Sequence, residues 1–113
     1  MDNRKLDLNK KLKDFIDLLL ETIRVEAVVL YGSYAHGNPR LYSDIDIAVF
    51  SPDFGGNPIE ETTFLFKLRR KIDTDLEPLA YSSNDFYDYT PADFVHEIIE
   101  NGKIIYKDGK YLI

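Results

Sequence analysis

The sequence predicts an α/β (α+β) fold, a small mixed β-sheet flanked by helices in one domain covering residues 1–113, and three observations predict it. Helix-period and strand-period segments alternate as helix, strand, strand, helix, strand, helix. A β-branched run from Val25 to Tyr31 has the character of a buried strand and stops at Gly32. Finally, 113 residues with 44% apolar content, 8 Tyr and 7 Phe suffice for one hydrophobic core but hardly for two domains.

The elements follow in order. Between Lys5 and Arg24, Leu8, Leu12, Phe15, Ile16, Leu19 and Ile23 recur at three- and four-residue spacing, which is the core-facing stripe of an amphipathic helix. After the strand Val25–Tyr31 comes a stretch rich in Gly, Ser, Asn and Pro, Gly32 to Ser43, with room for one short helical turn. Asp44 to Phe50 alternates as a second strand, and Ser51 to Pro58 reads as a loop. Glu60 to Arg70 is a second helix with Phe64, Leu65 and Leu68 inward. Ile72 to Tyr81 is a third strand, bent or ended by Pro78. Thr90 and Pro91 have the chemistry of an N-cap and first helical residue, and Gly102 that of a C′ stop. Lys103–Tyr106 and Tyr111–Ile113 flank an Asp108-Gly109 turn as short edge strands.

Composition excludes several classes of function. The longest unbroken apolar stretch, Ala27 to Tyr31, is far too short to span a membrane. No secretory leader is expected, and the absence of cysteine removes disulfides, thiolate catalysis and thiolate-bound zinc, in keeping with a cytoplasmic address. Fourteen Lys and Arg against 20 Asp and Glu give a net charge of −6, so extended contact with a nucleic-acid backbone is disfavoured.

The chemistry concentrates in Tyr31–Phe50, YGSYAHGNPRLYSDIDIAVF. Asp44 and Asp46 are two apart on a strand, so both carboxylates leave one face, roughly 7 Å apart, while Ile45, Ile47 and Val49 anchor the other. Like charges so placed repel, and a divalent cation between them makes the pair favourable; oxygen-only ligands select Mg²⁺ or Mn²⁺. A solvated acidic strand face is the alternative. Gly32-Ser33, directly after a buried strand, weighs against that alternative. Glycine lets the backbone approach a ligand, and the serine can cap a turn whose N–H groups face an anion. Phosphate cradle and paired acids together are what a nucleoside triphosphate site needs.

G-S-Y-A-H-G-x5-S-D-I-D-I-A-V, from Gly32 to Val49, resembles the signature of the DNA polymerase beta-type nucleotidyltransferase superfamily. The short single domain, and K-I-D-T-D-L-E-P from Lys71 to Pro78, are similar to the minimal nucleotidyltransferases of prokaryotes. The resemblance implies a nucleotidyltransferase fold, two Mg²⁺ ions held by Asp44 and Asp46, ATP as substrate, and phosphates held by Gly32 and Ser33. It also implies a third carboxylate near the start of the next strand. Asp73 is the first choice, Glu77 the second and Asp75 the third.

Other residues stay open between two readings. Arg40 either reaches nucleotide or does not. Lys67, Arg69, Arg70 and Lys71 complement a helix end or reach a triphosphate or an acidic partner. His36 is read as structural, and the aromatics from Phe64 to Phe94 as packing, with a partner-binding patch as the sharper version. Larger superfamily members carry a second domain for base or acceptor. Its lack here implies an acceptor surface from another chain or a second copy, and in the resembled subfamily the companion is an all-helical HEPN-type protein. The expectation is an antitoxin that transfers AMP from ATP to a tyrosine of a helical toxin. The competing expectation is a non-catalytic module that only binds and neutralises such a partner.

Overall fold

The structure is a computed structural model that describes residues 3–35 and 44–113. The apolar stripe becomes helix α1 (Asn3–Thr22), with Leu12, Phe15, Ile16 and Leu19 buried. Strand β1 (Ala27–Tyr31) runs straight into a single 3₁₀ turn, Gly32–Tyr34. Strand β2 (Ile45–Ser51) pairs antiparallel with β1, placing Ala27 opposite Phe50 and Tyr31 opposite Asp46. Helix α2 (Pro58–Arg69) starts where the Asn57 side chain accepts hydrogen bonds from the N–H groups of Ile59 and Glu60, with proline in the first turn. It carries the chain over to β3 (Leu76–Ser82), which lies parallel to β2. Two short helices, α3 (Asn84–Tyr87) and α4 (Phe94–Asn101), precede the hairpin of β4 (Lys103–Lys107) and β5 (Lys110–Tyr111). The sheet order is β3-β2-β1-β4-β5, mixed as expected.

Both sheet faces are covered. On one, Leu12, Phe15, Ile16 and Leu19 of α1 and Leu65 of α2 pack on Val28, Leu30, Ile45, Ile47, Val49 and Leu76. On the other, Val95 and Ile98 of α4 close over Ala27, Val29, Ala48 and Phe50. Phe50 stacks on Tyr81 at 5.3 Å and meets Phe86 edge-on at 5.3 Å. From Ile47 to Phe50 the second strand is therefore apolar on both faces, where simple alternation was expected.

Four expectations need correction. The third strand starts at Leu76, not Ile72, because the Asp73 carboxylate accepts a hydrogen bond from the Asp75 N–H and folds Asp73-Thr74-Asp75 into a turn. It runs through Pro78, which an edge strand tolerates. The last helix starts at Phe94 rather than Pro91. The Asp93 carboxylate accepts from the Thr90 N–H, so Thr90–Asp93 closes as a turn, and α3 was not foreseen at all. Gly102 stops α4 with an extended backbone, not a left-handed one. A Cβ there would lie 2.7 Å from Val29 Cγ1 and 2.9 Å from the Leu30 carbonyl oxygen, so glycine is needed for close packing of α4 on β1. The readings of His36 and Arg40 lie outside the described residues. The Asp108-Gly109 turn is as expected, both residues at positive φ (50° and 83°), as a tight hairpin between right-twisted strands requires.

Candidate functional site

Directly paired residues share a sheet face, so the registers Tyr31 opposite Asp46 and Asp46 opposite Glu77 put a phenol and two carboxylates side by side. They lie where the apolar covering of that face ends. Ala48 and Phe50 further along β2 are buried, whereas Asp46 is half-buried and Asp44, just before the strand, is exposed. Burial pushes the Asp46 carboxyl above its ordinary range, and the charges of Asp44 and Glu77 push it further. The Tyr31 phenol is raised as well, first by burial and then by the negative charge of Asp46. Both shifts report a partly desolvated, strongly negative pocket.

Gly32 closes the site from β1. Its φ of +73° lies in the left-handed region, and a Cβ there would sit 2.5 Å from Asp46 Oδ2. Only glycine lets the chain turn this sharply against the carboxylate. Ser33 follows in the same turn, which is closed by the Ala35 N–H donating to the Gly32 carbonyl at 3.1 Å.

The three acids weighed for the third position separate clearly. The Asp73 carboxylate is 2.6 Å from Lys11 Nζ on α1, and Lys11 together with the Asp75 N–H holds its carboxyl below the usual range. The neighbouring charges that raise Asp46 are those of Asp44 and Glu77. Glu77 is fixed beside Asp46 by Arg69, which donates at 2.9 Å to the Leu76 carbonyl and at 2.9 Å to Glu77 Oε1, its guanidinium lying 4.1 Å over the Phe66 ring. Asp75 is exposed in the turn. Of the four clustered basic residues, then, Arg69 turns inward and serves the strand carrying Glu77. The sequence places Arg69 on a helix end and does not show its contact with Glu77; the signal for where the strand begins is the turn chemistry of Asp73-Thr74-Asp75, which delays it by four residues.

Among the described residues no cluster of three or more His, Asp or Glu side chains is already gathered around an ion position. The donor set nevertheless suits a hard divalent cation. Asp44, Asp46 and Glu77 offer only carboxylate oxygens, and Arg69 pairs with Glu77 at 2.9 Å. Beside the acids, a cleft of about 320 Å³ runs between the end of β1 and α4, lined by Tyr31, Gly32, Phe94, Glu97, Ile98 and Asn101. None of the described helices is long and apolar enough to cross a membrane.

No curated protein matches the sequence. Solved structures do resemble it. A candidate nucleotidyltransferase from Sulfolobus solfataricus superposes with a TM-score of 0.67 over 93% of this chain and 86% of that one, at 17% identity, which speaks to the fold alone. A toxin-antitoxin crystallised with AMP-PNP is 25% identical, with a TM-score of 0.60 over 88% of this chain and 73% of that one. A mutant of the toxin-antitoxin MntA-HpeT, with two aspartates separated by one residue changed to glutamate, is also 25% identical, with a TM-score of 0.56 over 85% and 73%. The family described as "Polymerase beta, Nucleotidyltransferase" matches residues 7–111, nearly the whole chain. On that match, and with a single small mixed-sheet domain, the chain belongs to the polymerase beta-type nucleotidyltransferases as a minimal member.

Proposed function

We propose that the protein transfers a nucleotidyl group, AMP from ATP, to a hydroxyl of a partner protein, with Asp44, Asp46 and Glu77 as the acidic centre. One observation carries the reading: Gly32 packs against the Asp46 carboxylate while Glu77 stands in register beside it, so a phosphate-binding turn and the acids meet at one point. Asp44, Asp46 and Glu77 would hold Mg²⁺ or Mn²⁺, which supply positive charge against the charge developing on the transferred phosphate and leaving pyrophosphate. The Gly32 and Ser33 backbone and the Ser33 hydroxyl would orient the β- and γ-phosphates. The acceptor oxygen attacks the α-phosphorus, the bond to the bridging oxygen of the β-phosphate breaks, pyrophosphate leaves, and a carboxylate of the centre takes the hydroxyl proton.

The similar structures support this reading. One holds AMP-PNP, an ATP analogue, in a toxin-antitoxin, and another changes two aspartates at the spacing of Asp44 and Asp46. Accordingly the acceptor is read as a helical HEPN-type toxin, and the chain as its antitoxin. The test is transfer of labelled AMP from ATP with Mg²⁺ to the protein encoded beside it. Wild type labels the partner, and the Asp44→Asn/Asp46→Asn double variant loses at least a thousandfold in rate while melting at or above wild type without metal, because it removes the mutual repulsion of neighbouring carboxylates. Equal labelling by both proteins sinks the reading. If the double variant still binds and fully neutralises the partner, the chain is a binding module and transfer is dispensable.

A further inference from the structure

At the opposite end of β1 from Gly32 stands a second group of reactive side chains. The Tyr87 phenol, at the end of α3, donates to Glu26 Oε1 at 2.6 Å and accepts from Lys107 Nζ at 2.7 Å. Lys107 is itself held in place. It donates to Asp108 Oδ2 at 2.9 Å and lies 5.2 Å from the ring centroids of both Phe86 and Tyr87. Glu26 and Lys107 are partly buried, whereas Tyr87 is 61% exposed. Two other phenols among the described residues donate to carboxylates, Tyr89 to Glu100 at 3.0 Å and Tyr111 to Asp17. Neither accepts from an ammonium group; Lys13 lies over the Tyr111 ring, 5.6 Å from its centroid, instead. Tyr87 alone combines exposure, a base on its proton and a cation on its oxygen.

That combination is an activated nucleophile. A phenol attacks poorly while it keeps its proton, and a carboxylate already receiving that proton's hydrogen bond is placed to take it. The lysine stabilises negative charge gathering on the oxygen, which keeps a second lone pair for attack.

We propose that Tyr87 is a modification site, nucleotidylated by a second copy of this chain. The Tyr87 oxygen bonds to the α-phosphorus of ATP, the bond from that phosphorus to the bridging oxygen of the β-phosphate breaks, and pyrophosphate leaves. The phenolic proton passes to Glu26, so this acceptor brings its own base. Reaction within one chain is excluded by distance. Glu26 and Gly32 bracket β1 and stand roughly 20 Å apart along it, so the phenol faces away from its own acids. The proposal rests on the transfer reading for its donor and names a further acceptor.

The experiment incubates the full chain alone with ATP and Mn²⁺ and follows intact mass and peptide maps. Wild type is expected to gain one AMP, on Tyr87, and to label an excess of the Asp44→Asn/Asp46→Asn variant, which cannot label itself. Tyr87→Phe should stay unlabelled while labelling the partner protein at the wild-type rate, and Tyr89→Phe and Tyr111→Phe should gain AMP as wild type does. Offered as acceptors in the double-variant background, Glu26→Gln should react at least tenfold slower and Lys107→Met at least threefold slower, with folding of each checked by its Tm. A contact kept only to tether α3 to the sheet would lower Tm without any label on Tyr87, and that result overturns the proposal. So does label on another residue, equal labelling of Tyr87→Phe, or Glu26→Gln reacting as fast as its parent. If the partner is labelled and the chain never is, Tyr87 falls and the transfer reading stands. If the chain is labelled on Tyr87 and the partner is not, Tyr87 stands and the partner loses its place as acceptor.

Discussion

The two faces of β1 and β2 are made by the same dozen residues and do opposite things. On the α1 side Val28 and Leu30 of β1 and Ile45, Ile47 and Val49 of β2 are buried in one cluster with Leu12, Phe15, Ile16 and Leu19, and only Ser51 at the far end of β2 is polar. On the α4 side the apolar covering begins in the same way, at Ala27, Val29, Ala48 and Phe50, and then gives way to Tyr31, Asp46 and Glu77. One face holds the strands rigid, and this lets the other carry acids that repel each other. Charge that would open a loosely packed sheet is tolerated because the pleat beneath each carboxylate is fixed from behind.

That division of labour gives variants of graded effect. The largest is Phe15→Ala on the anchoring face, expected to cost about 3–5 kcal/mol in urea unfolding, because Phe15 is fully buried against both strands. A loss under 1 kcal/mol would show that this face is not the anchor. Gly32→Ala comes next. Its Cβ must displace Asp46 and adopt a left-handed backbone, so transfer should fall about a hundredfold, near 2.7 kcal/mol of barrier, with a smaller loss of stability. An unchanged rate would separate Gly32 from the chemistry. Arg69→Met keeps contact with Phe66 but frees Glu77 and the Leu76 carbonyl; a roughly tenfold slower transfer, about 1.4 kcal/mol, is expected with an unaltered nucleotide KM. A changed KM with normal turnover would mean that Arg69 meets the nucleotide instead.

The smallest effect is at Lys11–Asp73, away from either face's chemistry. Lys11 holds the folded Asp73 carboxyl below its unfolded value of about 3.9, so the pair stabilises the fold above that pH and loses the contribution as pH falls through the folded value. Lys11→Met should lose under 1 kcal/mol at pH 7, and the gap to wild type should close in acid. A gap that persists once Asp73 is protonated would point to packing by the lysine stem.

Legibility in the sequence followed the same divide. The anchoring face could be read directly, since Leu12, Phe15, Ile16 and Leu19 on one helix and Ile45, Ile47 and Val49 on one strand are periodic signals that local geometry converts into burial. The closeness of Gly32 to Asp46 was legible for a related reason: both sit at the same end of two strands that pair with each other. What lay beyond that hairpin was harder. Glu77 reaches Asp46 only through a helical crossover whose length depends on how Asp73-Thr74-Asp75 turns, and an alternating acidic run looks like a strand until the Asp73 side chain is seen bonding to its own backbone. The cleft was invisible, because Phe94 and Asn101 meet Tyr31 across more than sixty residues and no local pattern records it.

Strand β1 lies between β2 and β4, and Val28 pairs with Tyr106 on its far side. The centre of the sheet is thus completed by nearly the last segment of the fold to leave the ribosome. A nascent chain can pair β1 with β2 early, but β1 keeps an open edge until β4 arrives. A chain released before β4 would expose a bare row of backbone amides at β1, a template for aggregation, on a molecule that already carries its Asp-x-Asp pair.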